Sequence, residues 1–216
     1  MRGDYEPQTY VVQREDTLYS IAWRHDLDYR ALARWNGIGP DYRISVGQIL
    51  TLQPATPASA ARPPTAIAKS APGAAAPRGA TMPPGAATEP SSQESTSGRW
   101  VWPTSFLQSP RVVTGGGILL EGVLGQPVRA ACGGRVVYVG NGIRGFGNLI
   151  IIKHDDNFLS AYAHTREVAV HEGQDVLRNQ VIAQMGVGPH QTPALYFEIR
   201  LNGKPVDPLP YLSGKK

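Results

Sequence analysis

A single cysteine, Cys132, in a chain of 216 residues excludes a disulfide framework and a thiolate metal cluster. It lies in "VRAACGGRVV", between apolar residues and a Gly-Gly turn, and reads as a small buried hydrophobe. No apolar run reaches the roughly 20 residues that a bilayer-spanning helix needs. The opening "MRGDYEPQ" lacks the apolar segment of an export signal. Clustered charge is lacking too. Residues 1–53 carry six Lys/Arg against seven Asp/Glu, and residues 99–216 carry twelve against eight. That scatter excludes the basic stripe of a nucleic-acid binder and leaves a mildly basic surface suited to an anionic partner or envelope polymer.

Aromatic residues are absent from residues 54–98, where thirteen alanines and nine prolines accumulate. Such a stretch cannot bury enough surface to offset its ordering entropy, and its prolines stop helices from propagating. A disordered Pro/Ala-rich linker is therefore expected over 54–98, spanning about 35–40 Å as a coil. It divides the chain into modules at 9–53 and 99–216, and loose tethering implies that neither needs to touch the other.

The first module reads strand, helix, helix, strand. "TYVVQ" is a short strand, and Asp16 stands as N-cap before "TLYSIAWRH", where Leu18, Ile21 and Ala22 recur at helical spacing. No Glu or Gln follows the cap by three residues, so no capping box is expected. Asp28 caps "YRALARW", which ends at Asn36-Gly37, and "VGQILTL" closes the unit as a strand. The segments "YVVQREDTLYSIA", "LARWNGI" and "ISVGQILTL" resemble the LysM domain, a small peptidoglycan- and chitin-binding module with this βααβ order. One departure is Glu15, where the family usually has glycine. The resemblance implies that N-acetylglucosamine units lie between the loops at 15–18 and 36–40, with Asp16, Thr17, Leu18, Asn36, Gly37 and Ile38 as the glycan-facing residues. The same letters also serve as caps and core.

The second module changes period. "PVRAA", "RVVYVG", "NLIIIKH", "LSAYAH", "QVIAQMG" and "ALYFEIRL" are short β runs separated by turn residues, with Asn202-Gly203 as a hairpin signal. They argue for an all-β sandwich or half-barrel. In "PALYFEIR", Leu195, Phe197 and Ile199 point to one face, while Ala194, Tyr196, Glu198 and Arg200 point to the other. Residues 112–212 resemble the lysostaphin/LytM metallopeptidase family, whose active members cut peptide cross-bridges in bacterial walls. That resemblance implies zinc held by a His and an Asp four residues apart and by the second His of a His-x-His pair, with other histidines assisting the water. In this chain Gly115 and Leu119 take the first two positions, and Ala194 and Tyr196 take the pair; only His164, in "YAH", remains.

A catalytic zinc takes three protein ligands and keeps one position open. Gly, Leu and Tyr supply at best one weak donor, so no metal, no cofactor and no enzymatic activity are expected. His154, Asp155 and Asp156 fall at a turn, where solvated carboxylates are the ordinary reading. His171-Glu172 reads as a loop pair, and His190 is the least unfavourable candidate for a rebuilt site. The order LysM, Pro/Ala-rich spacer, LytM-like domain resembles the NlpD-type murein hydrolase activators. That likeness implies a non-catalytic protein that binds peptidoglycan and activates periplasmic N-acetylmuramoyl-L-alanine amidases during cell splitting. Leu119, Arg144, Phe146, His164, Ala194 and Tyr196 would form its partner groove. Two other readings stay open: a zinc endopeptidase with unconventional ligands, and a purely structural wall-binding protein. A periplasmic, outer-membrane-associated location is expected, with the export segment missing from the sequence as it stands. Cys132 is not a lipidation site, because Arg129 occupies the apolar position that a lipobox requires.

Overall fold

The computed structural model describes residues 9–53, 100–113 and 115–213, and the spacer expected over 54–98 lies outside them. In the first module, β1 (Thr9–Val11) and β2 (Ile49–Thr51) pair antiparallel with Tyr10 opposite Leu50. Between them lie α1 (Leu18–Arg24) and α2 (Tyr29–Trp35). Leu18, Ile21 and Ala22 lie in the core, as their spacing predicts, together with Leu32 and Leu50. Asp28 caps α2 by accepting from the amides of Arg30 and Ala31, both at 2.9 Å. Asn36 ends that helix, and its side-chain amide also ties Leu32 to both main-chain groups of Thr51.

The start of α1 corrects the sequence reading. Thr17, not Asp16, is the N-cap, and a capping box is present after all. Thr17 Oγ1 accepts from the Ser20 amide at 3.0 Å, while Ser20 Oγ accepts from the Thr17 amide at 3.0 Å. Serine thus does the work assigned to Glu or Gln. Asp16 is taken up elsewhere: its carboxylate accepts from Tyr10 Oη at 2.7 Å and the Gln13 amide at 2.9 Å, and pairs with Arg24. Glu15, just before it, sits at φ +69°. That left-handed backbone explains why glycine suits this position.

The second module contains β3 (Arg111–Val112), β4 (Ile118–Glu121), β5 (Pro127–Arg129), β6 (Gly134–Gly140), β7 (Asn148–Lys153) and β8 (Phe158–Arg166). It continues with β9 (Asp175–Val176), β10 (Val181–Met185), β11 (Ala194–Leu201), β12 (Lys204–Val206) and a short α3 (Leu209–Leu212). All pairings are antiparallel, along the order β3-β4-β11-β8-β7-β6-β9, with β12 on β11 and β10 joining β5 to β8. The six expected strands are all there. The hairpin at Asn202-Gly203 has positive φ at both residues, as its turn type demands.

The two faces of β11 separate as the alternation predicts. Leu195, Phe197 and Ile199 join Ile118, Leu120, Ile150, Ile152 and Tyr162 in one buried cluster. Ala194 and Tyr196 join Leu119, Ile151, Ala161 and Ala163 on the other side, in a cluster that runs on into Leu18, Ile21 and Trp23 of the first module. Here the expectation of independent halves fails: both described modules belong to one compact unit.

His154 is also corrected. The residue is half-buried and its ring is turned inward, with Nδ1 2.8 Å from the Gly133 carbonyl, Nε2 2.7 Å from Ser160 Oγ, and Trp100 edge-on at 4.7 Å. Burial lowers its pKa to about 4. The unfolded ring protonates near its ordinary value of about 6.5, so below that pH the unfolded chain binds the extra proton and stability falls towards pH 4. This contribution should cost about 2 kcal/mol by pH 5. Denaturant melts at pH 7 and pH 5 should show that loss in the parent, and a much smaller one in His154→Gln. At neutral pH, Glu15→Gly should raise the unfolding free energy by up to about 1 kcal/mol, since relief of the left-handed backbone outweighs glycine's added chain freedom.

Candidate functional site

β4 and β11 bring together positions that the family resemblance assigns to metal ligands. Tyr196 is the direct cross-strand partner of Leu119, and Ala194 that of Glu121. The Tyr196 ring lies over the backbone of Gly117, where an added Cβ would come within 2.4 Å of Tyr196 Cζ. Gly115 has φ +105°, a conformation that a histidine would adopt only under strain. The phenol therefore fills the space between Gly115, Gly117 and Leu119.

Tyr196 begins a buried polar chain. Its Oη donates to Glu198 Oε2 at 2.5 Å, and Glu198 Oε1 accepts from Arg200 Nε at 2.6 Å. Glu198 is 1 % exposed and Arg200 4 %. Burial pushes the Tyr196 phenol far above its ordinary value, with the Glu198 charge adding to the effect. Burial also raises Glu198, while Arg200 and the Tyr196 hydroxyl pull it back. The remaining Arg200 valences go to the first module. Nη2 lies 2.9 Å from Asp26 Oδ1, Nη1 donates to the Trp23 carbonyl at 3.1 Å, and the guanidinium sits 3.7 Å from the Trp23 ring centre.

Two cavities flank Tyr196. One, of about 320 Å³, is lined by Arg111, Leu119, Phe146, His164, His190 and Tyr196. Burial lowers the pKa of His164, so its imidazole is neutral at pH 7. The other, of about 590 Å³, lies along the seam with the first module and is lined by Trp23, Arg24, Asp26, Arg144, Phe146, Tyr196 and Arg200, among others. The donor set does not fit a catalytic zinc. Two imidazoles line the smaller cavity without a carboxylate, and among the described residues no group of three or more His, Cys, Asp or Glu is placed to hold a metal.

The predicted partner residues divide by exposure. Arg144 is exposed at the mouth of the seam cavity, and Phe146 is half-buried with its ring edge-on to Tyr196 at 5.3 Å. His164 is half-buried, whereas Leu119 is 3 % and Ala194 0 % exposed. Ala194 thus presents no surface to a partner, and Leu119 almost none. Of the glycan-facing residues, Leu18 is fully buried core. Thr17 is spent on the capping box, Asn36 on the link to β2, and Asp16 on Tyr10 and Arg24. Gly37 remains exposed and Ile38 half-buried, so a sugar at these loops would meet mainly backbone. Sequence reasoning placed Glu198 and Arg200 on the right face but gave them no role, and it missed Trp23 and Asp26 entirely. Two opposite charges in the apolar context "YFEIRL" were the available signal.

Residues 114–208 match the profile of Peptidase family M23, and residues 10–53 match the LysM domain. Among curated proteins, the chain is 46 % identical to the lipoprotein NlpD/LppB homolog of Pseudomonas aeruginosa, over 94 % of this chain and 76 % of that protein. It is 39 % identical to the uncharacterized lipoprotein YgeR of Escherichia coli, over 97 % of this chain and 83 % of that protein. It is 38 % identical to the murein hydrolase activator NlpD of the same organism, over 98 % of this chain and 69 % of that protein.

Zinc titration by calorimetry at pH 7.5 should show no saturable micromolar binding. Tyr196→Phe should destabilise the fold by about 1–3 kcal/mol in denaturant melts, because it leaves the buried Glu198 carboxyl short of a donor.

Proposed function

The chain belongs to the NlpD family, and we propose that it acts as a non-catalytic activator of an N-acetylmuramoyl-L-alanine amidase on peptidoglycan. A peptidoglycan-related role is common ground for both of its modules and for its named relatives. The activator reading is carried by one observation: at the positions where an M23 peptidase would hold its metal, this chain has a packed phenol and a leucine. A water molecule without a metal keeps too high a pKa to attack an amide at neutral pH. What the cleft still offers is a surface of mixed character, with the Phe146 ring and the Arg144 guanidinium at its accessible rim. Aromatic and arginine side chains of this kind are the usual anchors of protein interfaces.

The LysM module supplies the second half of the proposal. Weak glycan binding at the 15–18 and 36–40 loops would hold the activating domain near its target and raise its effective concentration there. The substrate lies in the cell envelope, so the protein would work in the periplasm, in association with the outer membrane, as the lipoprotein names of its relatives suggest.

Dye-labelled sacculi provide the test. An amidase of the same cell should release dye several-fold faster with this chain than without it, and the chain alone should release none. The double variant Arg144→Glu/Phe146→Ala should lose most of that stimulation while keeping the parent melting curve. Dye release by the chain alone, or an amidase indifferent to it, would overturn the reading.

A further inference from the structure

We propose that the LysM module is a latch, docked by Arg200 over the partner cleft, so that the activator is closed at rest and must open to engage its amidase. This deepens the activator reading and rests on it. The outer face of β11 carries Tyr196, Glu198 and Arg200 in succession, and the first module covers its far end. Asp26 and Trp23 take up the Arg200 guanidinium from above, and Lys204 Nζ donates to the Asp26 carbonyl at 3.2 Å. A partner segment that reaches Tyr196 along this face meets the docked helix α1 and its Arg24, which donates to the Gly142 carbonyl at 3.4 Å beside Arg144. Partner and LysM module therefore compete for one strip of surface.

The character of the seam fits a joint that opens. Beside the apolar cluster that runs from Tyr196 to Trp23, it is held by single polar contacts to two exposed turns. Arg30 reaches Asn157 at 3.1 Å and Asn202 at 2.8 Å, and Tyr29 Oη donates to the Asp156 carbonyl at 3.3 Å. Arg200 and Glu198 form a pair that stays satisfied when the module leaves, with water taking the place of Asp26. The backbones also come close at Gly203, where an added Cβ would lie 2.5 Å from the Asp28 backbone. That contact needs a bare main chain on the second module. A closed population that must be opened reduces apparent affinity by the fraction that is open.

Two full-chain variants test the latch from opposite sides. Asp26→Lys sets like charge against Arg200, and Gly203→Asn wedges a side chain against Asp28 in a hairpin position whose positive φ asparagine tolerates. Nitrogen-15 relaxation reads whether the modules tumble as one body, and sacculus dye release at subsaturating activator reads stimulation. The parent should tumble as one body; both variants should tumble as two, with stimulation raised roughly fivefold. If one variant fails to fold by its melting curve, the other decides. Independent tumbling in the parent, or joint tumbling retained in the folded variants, would overturn the latch. So would freed modules with unchanged or lower stimulation, and that result leaves the activator reading standing. An amidase that ignores parent and variants alike removes the activator reading, and the latch with it.

Discussion

The Arg200 guanidinium is where the structure ties its parts together. At 4 % exposure a cation survives only when its donors are used, and here they are used in two directions. Glu198 anchors it within the β-domain, and through Glu198 the Tyr196 hydroxyl is also held. Asp26 and the Trp23 carbonyl meet its other edge, with the indole beneath its plane. Removing Glu198 would leave a buried cation without its counter-ion, whereas on the Asp26 side water can take the carboxylate's place. The phenol beside Leu119, the buried Glu198–Arg200 pair and the seated LysM module are thus three expressions of one network of charge satisfaction.

Much of the fold was legible because its periods are long enough to read. The eight residues of β11 show strict alternation, and both of its faces were assigned correctly. The helices of the LysM module announced themselves through Leu18, Ile21 and Ala22 and through their stop at Asn36-Gly37. What escaped were elements of two to four residues, such as β3 and β9, where alternation has no room to appear. The capping error at Asp16 has a similar origin. Aspartate and threonine stand side by side with equal capping aptitude, and only Tyr10 and Arg24, folded against Asp16, decide between them.

The candidate site was half legible for a different reason. A resemblance assigns ligand positions by frame, so it could point to Gly115, Leu119, Ala194 and Tyr196 without coordinates, and the structure sets Leu119 beside Tyr196. Burial within the site could not. Alanine at 194 looks the same on a line of text whether it floors a groove or is sealed inside a sheet, and the structure shows it sealed. Contact between modules was invisible for the same reason. Asp26 is an ordinary helix-end residue until Arg200, 174 positions away, is brought to 2.9 Å.

The seating of Tyr196 over Gly117 has an evolutionary corollary. A histidine put back at 196 would abandon the hydroxyl that Glu198 relies on and open a void against the glycine. One put back at 115 would have to adopt φ +105°. A carboxylate at 119 would be largely buried, with Arg111 opposite it on the neighbouring strand as its nearest cation. Each of these substitutions taken alone costs packing, a hydrogen bond or backbone strain, so no single change builds a metal site into this fold.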